Sequence, residues 1–148
     1  MNPSCCQSTP FRILQWIARL ASAVIMLQTL YYKFSAAPES VYIFTTVGLE
    51  PVGRIGIGSL ELIASILILI PAARVAVVGA GLGAGLMAGA IFLHLTKLGI
   101  VVMGDGGGLF ALAAIVLVAC LTVLALNLPA VFSWLALVGI RLGKNETK

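Results

Sequence analysis

Residues 59–71 read SLELIASILILIP, a run apolar enough for a membrane interior except at Glu61. A carboxylate between Leu60 and Leu62 needs a chemical reason. An ionisable group at mid-membrane costs about 2.5–3.5 kcal/mol on insertion scales, so it faces protein or water and finds a partner. Two arginines are candidates. Arg54 precedes Glu61 by seven residues and projects from roughly the same helical face, and Arg19 stands inside an earlier apolar run. A guanidinium fork holds a carboxylate bidentately, which makes Arg19 the candidate for a structural ion pair that fixes helix register. His94 and Lys97 lie near the end of a later run, and Lys33 closes the first. Glu61, Arg54, His94, Lys97 and Lys33 are therefore the candidates for a polar pocket in the outer half of the membrane. Histidine titrates near neutral pH and a desolvated carboxyl shifts upward, so such a set can relay protons or bind a polar headgroup. The plainer reading is a buried ion pair and a hydrogen-bonded packing histidine. One His and one Glu make a poor ligand set, so no metal is expected.

The elements that must carry these residues follow from composition. Of 148 residues, 61% are hydrophobic and 9% charged, with mean hydropathy +1.14. Soluble domains carry about 25% charged residues, so this chain cannot cover a globular surface with polar groups. Four runs, roughly 11–34, 52–70, 73–97 and 109–126, approach the ~20 apolar residues that a spanning helix needs. They lack strand-like alternation, and in lipid a helix satisfies every backbone group within its own segment. The expectation is an all-α membrane protein: one membrane domain over residues 1–148, folded as an antiparallel bundle of four transmembrane helices. Short connections make sequential helices neighbours.

Two shorter stretches lie outside the spans. PESVYIFTTVG (38–48) has Pro at a helix start, Glu39 in the first turn and Gly at the end, which predicts a short interfacial helix over the outer face. AVFSWLALVGI (130–140) is too short to span; it either lies in the interface or extends the last helix past a kink at Pro129. The first run is too long for the apolar region of a signal peptide.

With four spans, Arg12, Arg74, Arg141, Lys144 and Lys148 share a side, opposite Lys33, Arg54 and Lys97. The positive-inside rule then puts both termini in the cytoplasm, in a cytoplasmic (inner) membrane. The net charge of +4 is largely this topology signal. No basic stripe with stacking aromatics is present, so no nucleic-acid partner is expected.

Several motifs have plain explanations. VAVVGAGLGAG (75–85) imitates a dinucleotide fingerprint, but that motif needs a βαβ unit and an acidic residue about 20 positions on. Gly81, Gly85 and Gly89 recur every fourth residue instead, as in a small-residue helix-packing seam, within the bundle or between copies. GDGGG (104–108) offers left-handed turn geometry, with Asp105 placed to cap the last helix. Cys5 and Cys6 are adjacent, Cys120 lies in the last span as a small core residue, and no CxxC pair exists.

YYKFSAAPES, GLEPVGRIGIGSLELIASILILIP, a Gly/Ala-rich third helix ending in HLTKLGI, and DGG before the last helix together resemble the DoxX-like membrane proteins. The similarity spans roughly residues 19–126. It implies a small four-helix protein of a bacterial or archaeal cytoplasmic membrane and an association with quinone-dependent respiratory oxidation. A quinone is then the expected non-covalent cofactor, and an oxidoreductase subunit the expected partner. The chain would be an accessory subunit rather than a stand-alone enzyme, since it carries no motif for flavin, haem or iron–sulfur chemistry. Some distant relatives serve thiol maturation, which the missing CxxC argues against here. Two other readings stay open: a small proton-coupled permease or exporter acting as a homo-oligomer, and a non-catalytic membrane scaffold.

Overall fold

The structure, a computed structural model, describes residues 9–137. Six α-helices follow in order: α1 (Thr9–Phe34), α2 (Pro38–Val47), α3 (Val52–Leu69), α4 (Ala73–Leu93), α5 (Gly108–Leu126) and α6 (Leu128–Leu137). A wider π-helical turn, His94–Leu98, prolongs α4. Four segments are long and apolar enough to cross a membrane: Thr9–Phe34, Val52–Leu69, Ala73–Leu98 and Gly108–Leu126. The chain is an all-α membrane protein built as a four-helix bundle, and no strand occurs among the described residues.

The four long helices close into a ring in which α1 packs on α3, α3 on α4, α4 on α5, and α5 back on α1. Each turns a narrow stripe inward. On α5 the buried residues are Ala113, Val116, Ala119, Cys120 and Val123, while Ile115, Val118 and Leu121 face out. Outward aliphatic side chains are what lipid requires, so on α5 the inside–outside contrast is one of size, while α1 and α3 also turn Arg19, Ser22, Arg54, Glu61 and Ser65 inward.

Small residues set the closest approach. The buried face of α4 is Ala76, Gly79, Ala80, Gly83 and Met87, with Val77 beside it. A Cβ added at Gly79 would stand 2.7 Å from the Ile68 amide nitrogen and 2.8 Å from the Ala64 carbonyl oxygen. At Gly83 it would meet Cys120 Sγ at 3.0 Å. At Gly81, Gly85 and Gly89 it would meet nothing within 4 Å. Within the chain the helix-packing glycines are therefore Gly79 and Gly83. The stripe expected to pack, Gly81–Gly85–Gly89, is rotated off that face. Cys120 is buried in the core; Cys5 and Cys6 lie outside the described residues.

The packed core, with Met26, Ile68, Ala80, Cys120 and Val123 at its centre, fills the half of the bundle away from α2. At that end Arg19 Nη1 donates to the Ile70 carbonyl at 3.1 Å, and Gln15 Nε2 donates to Asn127 Oδ1 at 3.0 Å. Asn127 in turn donates to the Val123 carbonyl, closing α5. The next helix, α6, begins at Leu128, with Pro129 inside its first turn, and packs on α4 and α5. Residues 138–140 of the predicted terminal stretch lie outside the described residues.

The opposite end is covered by α2, which contacts α1, α3 and the π-helical turn. Pro38 opens α2, and Gly48, at φ 78°, closes it with the left-handed conformation that frees the last carbonyls for Gly48 and Leu49 N–H donors.

Candidate functional site

Beneath α2 the ring opens into a cavity of about 550 Å³, with wall residues from α1, α2, α3, α4 and α5. Met26, Met87, Ala113 and Val116 form its floor, where the packed core begins. Most of the wall is aliphatic. Polar side chains interrupt it, and three of them, Lys33, Thr29 and Glu61, are in mutual contact; an apolar wall with placed polar groups is the usual make-up of a small-molecule site.

The central group is a three-residue chain of contacts. Lys33 Nζ lies 2.8 Å from Glu61 Oε2 and donates to Thr29 Oγ1 at 3.2 Å. The Thr29 hydroxyl stands 3.3 Å from the same Glu61 oxygen. Lys33 and Thr29 are one helical turn apart on α1, so both reach the same point on α3. Both charges are withdrawn from solvent: the side chains are 15% and 4% exposed for Lys33 and Glu61.

Neither arginine expected to hold Glu61 does so. Seven residues place Arg54 about 10 Å from Glu61 along the helix axis. There its Nε donates to both carboxylate oxygens of Glu50 at 2.9 Å, one turn back. Arg54 Nη1 also donates to the Lys33 carbonyl, tying the end of α1 to the start of α3. Arg19 precedes Thr29 by ten residues, about 15 Å of helix. It is buried at the far end, with its guanidinium 5.2 Å from the Trp16 ring centroid. Its Nε has no hydrogen-bond partner among the described residues. Arg19 thus ties α1 to the end of α3 through the Ile70 carbonyl rather than through an ion pair.

His94 is buried and lines the cavity. Its Nδ1 is 2.8 Å from the Gly99 carbonyl oxygen. A carbonyl only accepts, so Nδ1 carries a proton and donates to it. The Phe110 ring meets it edge-on at 5.8 Å. The π-helical turn begins at His94 and closes where the Gly99 N–H donates to the His94 carbonyl at 2.8 Å. Lys97, in the same turn, is exposed and outside the cavity wall.

Of the five residues expected to form the pocket, three share the cavity: Lys33, Glu61 and His94. Arg54 and Lys97 do not line it. The cavity adds polar residues that sequence reasoning did not place there, among them Thr29, Glu39, Ser40 and Asp105. Asp105 organises the loop before α5. Its Oδ1 accepts from the Val102 and Gly107 N–H groups at 2.8 and 2.9 Å, and its Oδ2 from Leu109 N–H at 2.9 Å. These backbone donors, first that of Leu109, hold its carboxyl below the usual carboxylate range, with His94 adding to the effect.

Gly85 and Gly89 also line the cavity, and both are exposed. Their missing side chains leave room in its wall. Among the described residues no group of three or more His, Cys, Asp or Glu is placed to hold a metal ion. No protein-family model, curated protein or solved structure matches this chain.

Proposed function

We propose that this protein binds an amphipathic small molecule, a quinone or a lipid presenting its headgroup, in the cavity beneath α2. In this reading it serves as an accessory membrane subunit of a quinone-linked oxidoreductase system. The observation that carries the reading is a cavity of about 550 Å³ that joins aliphatic walls to one buried polar cluster, Lys33–Thr29–Glu61, with His94 on the same wall surface. A long apolar body and a compact polar head fit such a lining. The oxidoreductase association rests on the DoxX-like resemblance of residues 19–126 and goes no further than it. The placement in a cytoplasmic membrane, with α2 on the outer side and both termini in the cytoplasm, rests on the distribution of Lys and Arg. The exporter and scaffold readings gain no observation of their own, since the intramembrane carboxylate is already engaged by Lys33 and Thr29.

The test is extraction and mass spectrometry of small molecules that co-purify with the full chain in native nanodiscs, set against two variants. Glu61→Gln removes the polar cluster's acceptor charge. Gly89→Leu adds a bulky side chain to the cavity wall at a position where a Cβ meets nothing within 4 Å. A quinone or lipid enriched with the wild type and lost in both variants is the expected result. Equal recovery from wild type and Gly89→Leu would refute the cavity as the binding site.

A further inference from the structure

One buried hydroxyl of the cavity wall has no hydrogen-bond partner among the described residues. Ser40 stands in the first turn of α2 and is 5% exposed. Its hydroxyl is buried without a hydrogen-bond partner among the described residues, although the residue lines the cavity. A buried hydroxyl left unpaired is destabilising, and native structures rarely keep one without a reason. A second spare donor is nearby in the same lining. An ammonium has three N–H donors, and Lys33 commits one to Glu61 and one to Thr29.

The charges of the lining point the same way. Lys33 is the one lysine or arginine of the lining, against three carboxylates, Glu39, Glu61 and Asp105. The Lys33 charge is already matched by Glu61 at 2.8 Å. Arg54 is engaged by Glu50 and the Lys33 carbonyl, and Lys97 lies outside the wall. Asp105 is held by three backbone N–H groups, with His94 adding to the effect, and Glu39 is left without a lysine or arginine partner in the lining. Glu39 is exposed, so an incoming phosphate or carboxylate would meet its like charge at the solvent side of the lining.

We propose that the cavity selects amphiphiles whose head is uncharged and bears hydroxyl or carbonyl oxygens, with Ser40 on α2 as a direct ligand contact and the acidic lining as the filter against anionic heads. The inference rests on the cavity reading above and narrows it: a neutral head fits, and an anionic phospholipid head does not.

The experiment uses the full chain in phosphatidylcholine nanodiscs and two probes with the same chain length, tritiated 1-O-dodecylglycerol and tritiated dodecyl phosphate. Binding at the site is the part abolished by Gly89→Leu, which separates it from partition into the bilayer. The uncharged probe is expected to bind at least about ten-fold more tightly than the phosphate, a difference of about 1.4 kcal/mol. Ser40→Ala should weaken the uncharged probe several-fold, Ser40→Thr should retain it, and Glu39→Gln should narrow the disadvantage of the phosphate. If both probes bind equally and both are lost in Gly89→Leu, the cavity reading stands and the head-group selectivity is overturned. If Ser40→Ala binds like wild type, its role as a contact is overturned. If neither probe shows binding sensitive to Gly89→Leu, the cavity reading falls and takes this one with it.

Discussion

The Lys33 ammonium lies 2.8 Å from Glu61 Oε2, and this pair joins the last turn of α1 to the middle of α3. Thr29, one turn back on α1, touches both members. The carboxylate that interrupts the second apolar run is therefore matched by a cation from a helix end. A lysine stem reaches inward from there while its helix position stays near the membrane boundary.

Removing one member of a buried pair leaves the other without its partner, which costs about 3–5 kcal/mol. Lys33→Met and Glu61→Leu should each destabilise the bundle on that scale. The double variant should be far milder than the sum, with a coupling above about 1 kcal/mol. Unfolding followed by circular dichroism in mixed micelles measures all four corners of the cycle. Additive losses would mean that the two charges do not act on one another.

The glycines of α4 divide sharply. Gly79→Ala should cost about 1–3 kcal/mol, the usual range for overpacking, because the new Cβ meets backbone atoms of α3 at 2.7 and 2.8 Å that cannot rotate away. Gly81→Ala, Gly85→Ala and Gly89→Ala should be neutral or stabilising by up to about 1 kcal/mol, since alanine favours the helix and the space is open. The same unfolding assay separates the two groups. A loss at Gly81 or Gly85 equal to that at Gly79 would show a second copy of the chain packed on that stripe.

Much of the fold was legible because it depends on apolar length, turn residues and the cost of bare backbone in lipid. The helical character of the four long runs, the short helix opened by Pro38 and closed by Gly48, and the tie from Asp105 to the start of α5 can all be read from residue types. The pairing inside the bundle could not be read that way. Glycines at 79, 81, 83, 85 and 89 form two interleaved stripes, and only the position of Ala64 and Ile68 on α3 decides which is packed. Helix face and guanidinium geometry point to Arg54 and Arg19 as partners for Glu61. Arg54 is two turns away and finds a nearer carboxylate in Glu50, while Arg19 is at the other end of α1. Lys33 was legible as a wall residue but not as the partner. Ser40 carried no signal at all, since a serine in the first turn of a helix is ordinary.

Asp105 should give the protein an acid limb. Its carboxyl is held below its ordinary value by the N–H groups of Leu109, Val102 and Gly107. The unfolded chain binds a proton near pH 3.9, the reference aspartate value, and the folded chain binds it at lower pH. The stabilisation is therefore complete above the unfolded value and is lost as pH falls through the folded one. Asp105→Asn should lower stability at neutral pH by about 1 kcal/mol, a typical loss for a side chain serving helix-start N–H groups. Its unfolding midpoint should then vary less than that of wild type between about pH 5 and pH 2, where the aspartate contributes its linkage. Parallel pH profiles for the two proteins would show that the carboxylate contributes nothing through its charge.

Orientation in the membrane can be read with single cysteines. With Cys5, Cys6 and Cys120 replaced by serine or alanine, Ser35→Cys marks the α2 end, and Ala72→Cys marks the turn before α4. Both native residues are exposed. The excess of Arg and Lys at the end carrying Arg12 and Arg74 predicts that this end stays in the cytoplasm. A membrane-impermeant maleimide applied to intact cells should label the cysteine at 35 and spare the one at 72 until the membrane is opened. The reverse pattern would place the cavity and α2 on the cytoplasmic side. A ligand entering beneath α2 would then come from the inner leaflet, and so would any partner that docks over it.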